Sequence, residues 1–141
     1  MFHPAALIAA AILFAPPAVA GQSDPTASVR LTFETGAQTG AVMVALYDQA
    51  TYAEGAPIRS ARIDVAAGEA SVAFDGLADA DYAVKAFHDV NGNGRMDTNP
   101  FGLPIEPFAF SNNAVGNMGP ADWDRARLPV SGQTVQTINI R

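Results

Sequence analysis

The sequence predicts an all-β fold, an antiparallel β-sandwich of about seven short strands. Three observations support this prediction. Apolar and polar residues alternate with a period of two in several short segments, and turn-forming residues separate these segments at intervals of roughly 8–12 residues. Beyond residue 20, no segment shows the helical periodicity of an amphipathic helix. The chain contains no cysteine, so packing rather than disulfide bonds must stabilise the domain.

The N-terminal segment, residues 1–20, is predicted to be a signal peptide. Its apolar run, Ala5 to Phe14, precedes small residues at Ala18 and Ala20, a pattern that signal peptidase cleaves. The run is also short for a membrane span, which needs roughly 20 apolar residues. We therefore expect cleavage after Ala20 and a periplasmic or secreted protein whose mature form has no transmembrane segment. A flexible leader at 21–26 and one domain at 27–141 would follow.

The charge composition excludes one class of partner. The formal net charge is −6, and the whole chain has only eight Lys and Arg residues. Binding to phosphate backbones requires clustered cations, so nucleic acid is not an expected ligand. A protein, a peptide or a carbohydrate is the expected kind of partner.

The first half of the mature chain contains five predicted strands. Residues 29–33 alternate with one face buried, and residues 41–47 are mostly apolar, as in a central strand. Further strands are predicted at 62–65, 70–74 and 82–88. Turns are predicted at 36–40, 68–69 and 75–81, and residues 50–60 are expected to form a connection.

The second half is predicted to be less regular. Residues 90–122 are rich in Asn, Gly and Pro and form a long irregular loop, which in a compact domain is usually functional or supported by a metal. Residues 123–130 are either a strand or a short turn leading into one. The last strand is expected at 135–140, with Ile138 and Ile140 on one face.

A candidate metal-binding loop follows the strand at 82–88. Side chains with oxygen atoms recur here at alternate positions: Asp89, Asn91, Asn93 and Asp97. In a calcium loop of the EF-hand type, side chains at positions 1, 3 and 5 bind the ion, Gly at position 6 allows a sharp turn, and position 7 offers its carbonyl. Gly94 and the backbone carbonyl of Arg95 would hold the last two positions.

The loop differs from an EF-hand in two respects. Pro100 stands where the bidentate glutamate would be, and a strand rather than a helix precedes the loop. The missing ligand must come from elsewhere, and Glu106 is the first candidate, ahead of Asp81. Ca²⁺ is the expected ion because no cysteine or histidine cluster is present, and affinity would be weak, ~10⁻⁴–10⁻³ M. The alternative is a metal-free β-turn built on the two Asn-Gly pairs.

A second notable segment is FGLPIEPFAFSNN, residues 101–113. Two prolines restrict its backbone, and aromatic and amide groups on a rigid loop suit carbohydrate or peptide contact. A possible ligand surface is therefore predicted at Phe108, Phe110, Asn112 and Asn113. Alternatively, the phenylalanines only fill a satellite core.

Several motifs resemble those of an exported bacterial family, domain-of-unknown-function family 2141. They are Tyr82-Ala83-Val84, Phe87 to Gly94, Asp97-Thr98-Asn99, Gly102-Leu103-Pro104, Glu106-Pro107-Phe108 and Phe110 to Asn113. The resemblance implies an Ig-like, transthyretin-like or carboxypeptidase-regulatory-like β-sandwich, and it implies no established activity. Transthyretin-like hydrolases use several histidines, whereas the mature chain would have His88 alone.

The sequence leaves three functions open. The first is a non-enzymatic exported binding or structural module with a calcium-stabilised loop at Asp89–Asp97. The second is a metal- or carboxylate-dependent hydrolase that acts on an extracellular substrate through Asp89, Glu106 and His88. The third is a small-ligand carrier with an apolar pocket between its sheets.

Overall fold

Residues 25–141, the part of the chain that the computed structural model describes, form two packed β-sheets. The predicted signal peptide and most of the predicted leader lie outside the described residues. The strands are β1 (Ala27–Thr35), β2 (Ala41–Tyr47), β3 (Arg59–Asp64), β4 (Ser71–Leu77), β5 (Ala80–Asp89), β6 (Phe108–Phe110), β7 (Leu128–Val130) and β8 (Gln133–Ile140). A short helix, α1, spans Trp123–Ala126, and single 3₁₀ turns lie at Val65–Ala67 and Ser111–Asn113.

The predicted all-β sandwich is confirmed, with eight strands in the described residues instead of about seven. The three-stranded sheet has the order β4-β1-β8, and the five-stranded sheet has the order β3-β2-β5-β6, with β7 also pairing with β5. The expectation of a wholly antiparallel fold is wrong in one place, because β1 and β8 are parallel. Period-two alternation defines which face of a strand is buried but carries no information about strand direction.

The core lies between the two sheets and is filled by alternate residues of the strands. On β2 these are Val42, Val44 and Leu46, all 0–2% exposed, and Leu31 and Ile138 face them from the other sheet. A smaller cluster covers part of the outer face of the five-stranded sheet and includes Tyr52, Ala83, Phe110 and Ala126. The interior is thus mostly packed with side chains, and the space between the sheets that the described residues leave is a small cleft at one end, beside Phe33, Val42 and Ile63.

The third and fourth strands differ from their predicted boundaries. The third strand begins earlier, at Arg59, and ends before Val65, because the Asp64 side chain accepts a hydrogen bond from Ala67 N–H and starts a 3₁₀ turn. The fourth strand continues through the predicted turn 75–81 to Leu77. The β1–β4 register is irregular beside Gly76, which has a φ of +67°. This irregularity accommodates the turn-forming residues within the strand.

The predicted irregular segment 90–122 contains a strand that the sequence did not reveal. β6 has only three residues, directly after Pro107, which is too short for an alternation to be visible. Residues 123–130 adopt the second of the two expected forms, a short helical turn leading into β7. No helix among the described residues is long and apolar enough to span a membrane.

Candidate metal centre

The candidate loop begins with a buried carboxylate at the end of β5. Asp89 is 1% exposed. Its Oδ2 accepts a hydrogen bond from Gly94 N–H at 2.7 Å, and its Oδ1 accepts one from Asn93 N–H at 3.2 Å. Gly92 and Gly94 have φ values of +72° and +78°, a conformation that glycine adopts without strain. The chain therefore curls around the Asp89 carboxylate, as the spacing predicts.

The two asparagines direct their amide groups at Asp97. Asn91 Nδ2 donates to Asp97 Oδ2 at 2.5 Å, and Asn93 Nδ2 donates to Asp97 Oδ1 at 2.8 Å. Their Oδ1 atoms accept backbone N–H groups, from Asn93 at 3.2 Å and from Arg95 at 2.9 Å. The amide N–H groups thus supply the partial positive charge that faces the Asp97 carboxylate.

This arrangement changes the acidity of Asp97. Hydrogen bonds from Asn93, and then from Asn91, hold the pKa of the Asp97 carboxyl below its ordinary value of 3.8. The neighbouring Glu106 carboxyl and the more distant charge of Arg95 add smaller lowering effects. Asp97 is therefore ionised over the physiological pH range, as a ligand to a hard cation must be.

Glu106 joins the loop from the far side of the irregular segment. Its Oε2 accepts a hydrogen bond from Asp97 N–H at 3.2 Å, and Ile105 N–H donates to the Asp97 carbonyl at 2.9 Å. Glu106 is only 7% exposed, and its Oε1 is a buried atom that has no hydrogen-bond partner among residues 25–141. A buried carboxylate oxygen without a donor is costly unless a cation or another donor reaches it.

The turn between β1 and β2 supports the start of the loop. Gly40, at φ +67°, lies so close to the backbone of Asp89 and Val90 that a Cβ atom there would be 2.0 Å from the Asp89 carbonyl oxygen. The Thr39 carbonyl lies 2.6 Å from Nε2 of His88, whose ring is fully buried on the core side of β5. Sequence reasoning missed Gly40 and Thr39, because these residues are far from the loop in the sequence and approach it only in the folded chain.

The sequence-predicted ligands are therefore mostly brought together. Asp89, Asn91, Asn93, Asp97 and Glu106 are linked by hydrogen bonds within one loop system. Arg95 belongs to the same turn through its backbone N–H, and its side chain is exposed. Asp81 does not join them, because it lies near the other end of β5, where its carboxylate is 3.4 Å from Arg127.

The donor set limits which metal could bind. Among residues 25–141, no group of three His, Asp or Glu side chains is placed to hold a metal ion. A cation at the loop would therefore need the amide oxygens of Asn91 and Asn93, and backbone carbonyls, as well as carboxylates. Such an oxygen-rich, flexible set fits Ca²⁺, whereas Zn²⁺ prefers nitrogen and sulfur ligands.

The predicted ligand surface divides into two parts. Phe108 and Phe110 project from the outer face of the five-stranded sheet, with ring centroids 5.9 Å apart. The side chains of Asn112 and Asn113 instead form hydrogen bonds with backbone groups of the protein. The Asn112 amide donates to the Arg125 and Arg127 carbonyls, and the Asn113 Oδ1 accepts from Asn139 N–H at 2.8 Å. Both have φ near +55°, at 61° and 52°, which asparagine tolerates.

Comparison with known proteins identifies the family of the chain. The model of the family described as "Uncharacterized protein conserved in bacteria (DUF2141)" matches residues 34–139. No curated protein and no solved structure gives a significant match. The chain belongs to this bacterial family, as its motifs predicted.

Proposed function

We propose that this family member is a non-enzymatic exported binding or structural module whose loop at Asp89–Asp97 binds Ca²⁺. The observation that carries the proposal is the buried Glu106 carboxylate beside Asp97. Its Oε1 has no hydrogen-bond partner among the described residues. A divalent cation beside the two carboxylates would neutralise their charge and satisfy the free oxygen of Glu106.

The hydrogen bonds of the loop suggest how an ion would be accommodated. The amide N–H groups of Asn91 and Asn93 occupy the side of Asp97 where a cation would lie. Turning each amide about its last side-chain bond would bring its oxygen inward in place of its nitrogen. The turn moves each oxygen away from the backbone N–H that it accepts, so ion coordination must offset the two lost hydrogen bonds.

A binding or structural role is supported over hydrolysis by the position of His88. A general base must reach the proton that it removes, within about 3.2 Å or through one water molecule. The ring of His88 is 0% exposed and points into the core, with Nε2 beside the Thr39 carbonyl. Its side chain therefore faces away from the outward-facing positions of β5, among them Asp89.

Calorimetric titration of chelator-treated protein with CaCl₂ tests the proposal. We expect one site with a dissociation constant of ~10⁻⁴–10⁻³ M, and a rise in melting temperature at ten-millimolar calcium that follows from mass action. Asp89→Ala should abolish both effects. Asp75→Ala removes the same charge from an exposed position on the other sheet and should leave both unchanged. Absence of heat and of stabilisation in the native chain would refute calcium binding.

A further inference from the structure

The outer face of the five-stranded sheet carries apolar side chains where the outward positions of a sandwich are usually polar. Strand pairing places five apolar residues and one lysine in two rows across β2, β5 and β6. One row consists of Met43, Phe87 and Phe108, and the next consists of Ala45, Lys85 and Phe110. We call these six residues the platform. Among residues 25–141, the smaller hydrophobic cluster shares Phe110 alone with the platform.

Two loop segments lie beside the platform, and together with it they form a groove. Leu103 and Ile105 are 61% and 64% exposed on one segment, and Val115 and Met118 are 75% and 104% exposed on the other. All four line the same concave surface as the platform. A contiguous exposed apolar surface of this kind usually marks a binding site.

Lys85 is the only lysine in the chain and lies on the groove floor. Its Nζ is 4.6 Å and 4.4 Å from the ring centroids of Tyr47 and Tyr52, and it donates to the Tyr52 carbonyl at 2.6 Å. Within residues 25–141, no carboxylate forms a salt bridge with it. Burial lowers the pKa of this amine, which is consistent with a cation that lacks an anionic partner.

We propose that the groove binds an apolar molecule with a single anionic head group, of the fatty-acid class. The carboxylate would accept the remaining N–H groups of Lys85, and the hydrocarbon chain would lie over Met43, Phe87 and Phe108. This inference stands on the sheet and its flanking loops, and it does not depend on calcium binding.

Charge and polarity select this class over other occupants. A second copy of the chain also carries a net charge of −6, so the two copies would repel one another. A peptide would bring backbone N–H and C=O groups onto apolar walls that cannot satisfy them. An anionic membrane surface is attracted by clusters of cations, whereas the groove lining contains two, Lys85 and Arg141, and Arg141 pairs with Glu34 at 3.8 Å.

The test compares decanoate with decan-1-ol, which has the same chain length and no charge. Protein labelled with ¹³C at the ε-carbon of lysine gives a single signal, because Lys85 is the one lysine in the sequence. Decanoate should shift this signal in a saturable manner and bind at least about tenfold more tightly than decan-1-ol, as a charge-assisted hydrogen bond is lost with the alcohol. In Lys85→Gln, decanoate should bind no better than the alcohol.

Two control variants separate charge from shape. Arg30→Gln removes one positive charge from an exposed position on the other sheet and should leave decanoate affinity unchanged. Phe108→Ser, at a side chain 48% exposed, should weaken both ligands by a similar factor. Equal affinity of the native chain for the two ligands would overturn the proposal. So would the absence of binding, dimerisation on a sizing column in place of binding, or association with vesicles alone.

Discussion

The side chain of Glu106 is held against the backbone of Asp97, whose N–H donates to Glu106 Oε2 at 3.2 Å while Oε1 stays buried without a partner. This contact closes the loop from a position outside the Asp89–Asp97 repeat. It also places a second acid next to one whose oxygens already accept two amide groups. The loop is therefore rich in hydrogen-bond acceptors, to which the proposed calcium ion would add a positive charge.

Glu106→Gln should separate calcium binding from stability. The amide removes a charge from a buried position, so the calcium-free variant should be as stable as the native chain or up to about 1 kcal/mol more stable. The increase in stability that calcium gives the native chain should be lost. Urea unfolding with and without calcium measures both quantities.

The matched control is Glu69→Gln. Glu69 also accepts a backbone N–H, from Asp64 at 2.8 Å, but it is exposed and its hydrogen bond is to β3 and not to the loop. Its variant should keep the full calcium increment. If Glu106→Gln also kept it, Glu106 would not be a ligand.

Asp97→Asn should reduce the sensitivity of the fold to acid. The folded-state pKa of Asp97 is lowered, so its stabilising effect is complete above the ordinary value of 3.8 and is lost as the pH falls through the folded-state value. The native chain should therefore lose more stability than the variant between about pH 5 and pH 2. Carboxyl ¹³C titration by NMR checks the direction directly, and a midpoint for Asp97 above 3.8 would contradict it.

Gly40→Ala should disrupt the start of the loop. A methyl group there would collide with the Asp89 carbonyl and would also require a left-handed alanine, at a combined cost of about 2–5 kcal/mol. Gly68 also has a positive φ, of +87°, but a Cβ atom there would meet open space. Gly68→Ala should therefore cost only about 1–2 kcal/mol. Thermal unfolding measures the difference, and equal losses would show that the close contact is unimportant.

Asn112 is expected to stabilise the fold, because its amide bridges the Arg125 and Arg127 carbonyls and accepts from Gln136 Nε2 at 2.8 Å. Asn112→Ala should cost about 1–3 kcal/mol of unfolding free energy. Asn112→Gly loses the same hydrogen bonds without the left-handed strain, and it should recover about 1 kcal/mol of that loss. Glycine less stable than alanine at this position would contradict the argument.

Much of the fold was predictable because the strands have local signatures. β2 matches the predicted 41–47 segment, since an apolar run between two turns leaves few alternatives. β6 and the parallel pairing of β1 with β8 were not predictable. Both depend on contacts between residues far apart in the chain, which a local pattern does not contain.

The candidate site shows the same division. The positions of Asp89, Asn91, Asn93 and Asp97 follow from spacing alone, because the loop closes on itself. Glu106 was reached only by requiring one more oxygen. Of the groove around Lys85, the sequence predicted only Phe108 and Phe110 as a ligand surface. The rest was missed, because neighbouring strands build its floor and no short motif spans them. The single lysine in the sequence was a further available signal.

The most direct test of the central claim is a high-resolution crystal structure of the protein grown with calcium. We predict an ion at 2.3–2.6 Å, the usual Ca²⁺–oxygen distance of about 2.4 Å, from oxygens of Asp89, Asn91, Asn93 and Asp97 and from the Arg95 carbonyl. Glu106 should complete the site directly or through a water molecule. A loop without an ion at saturating calcium, with both amide nitrogens still bonded to Asp97, would contradict the account.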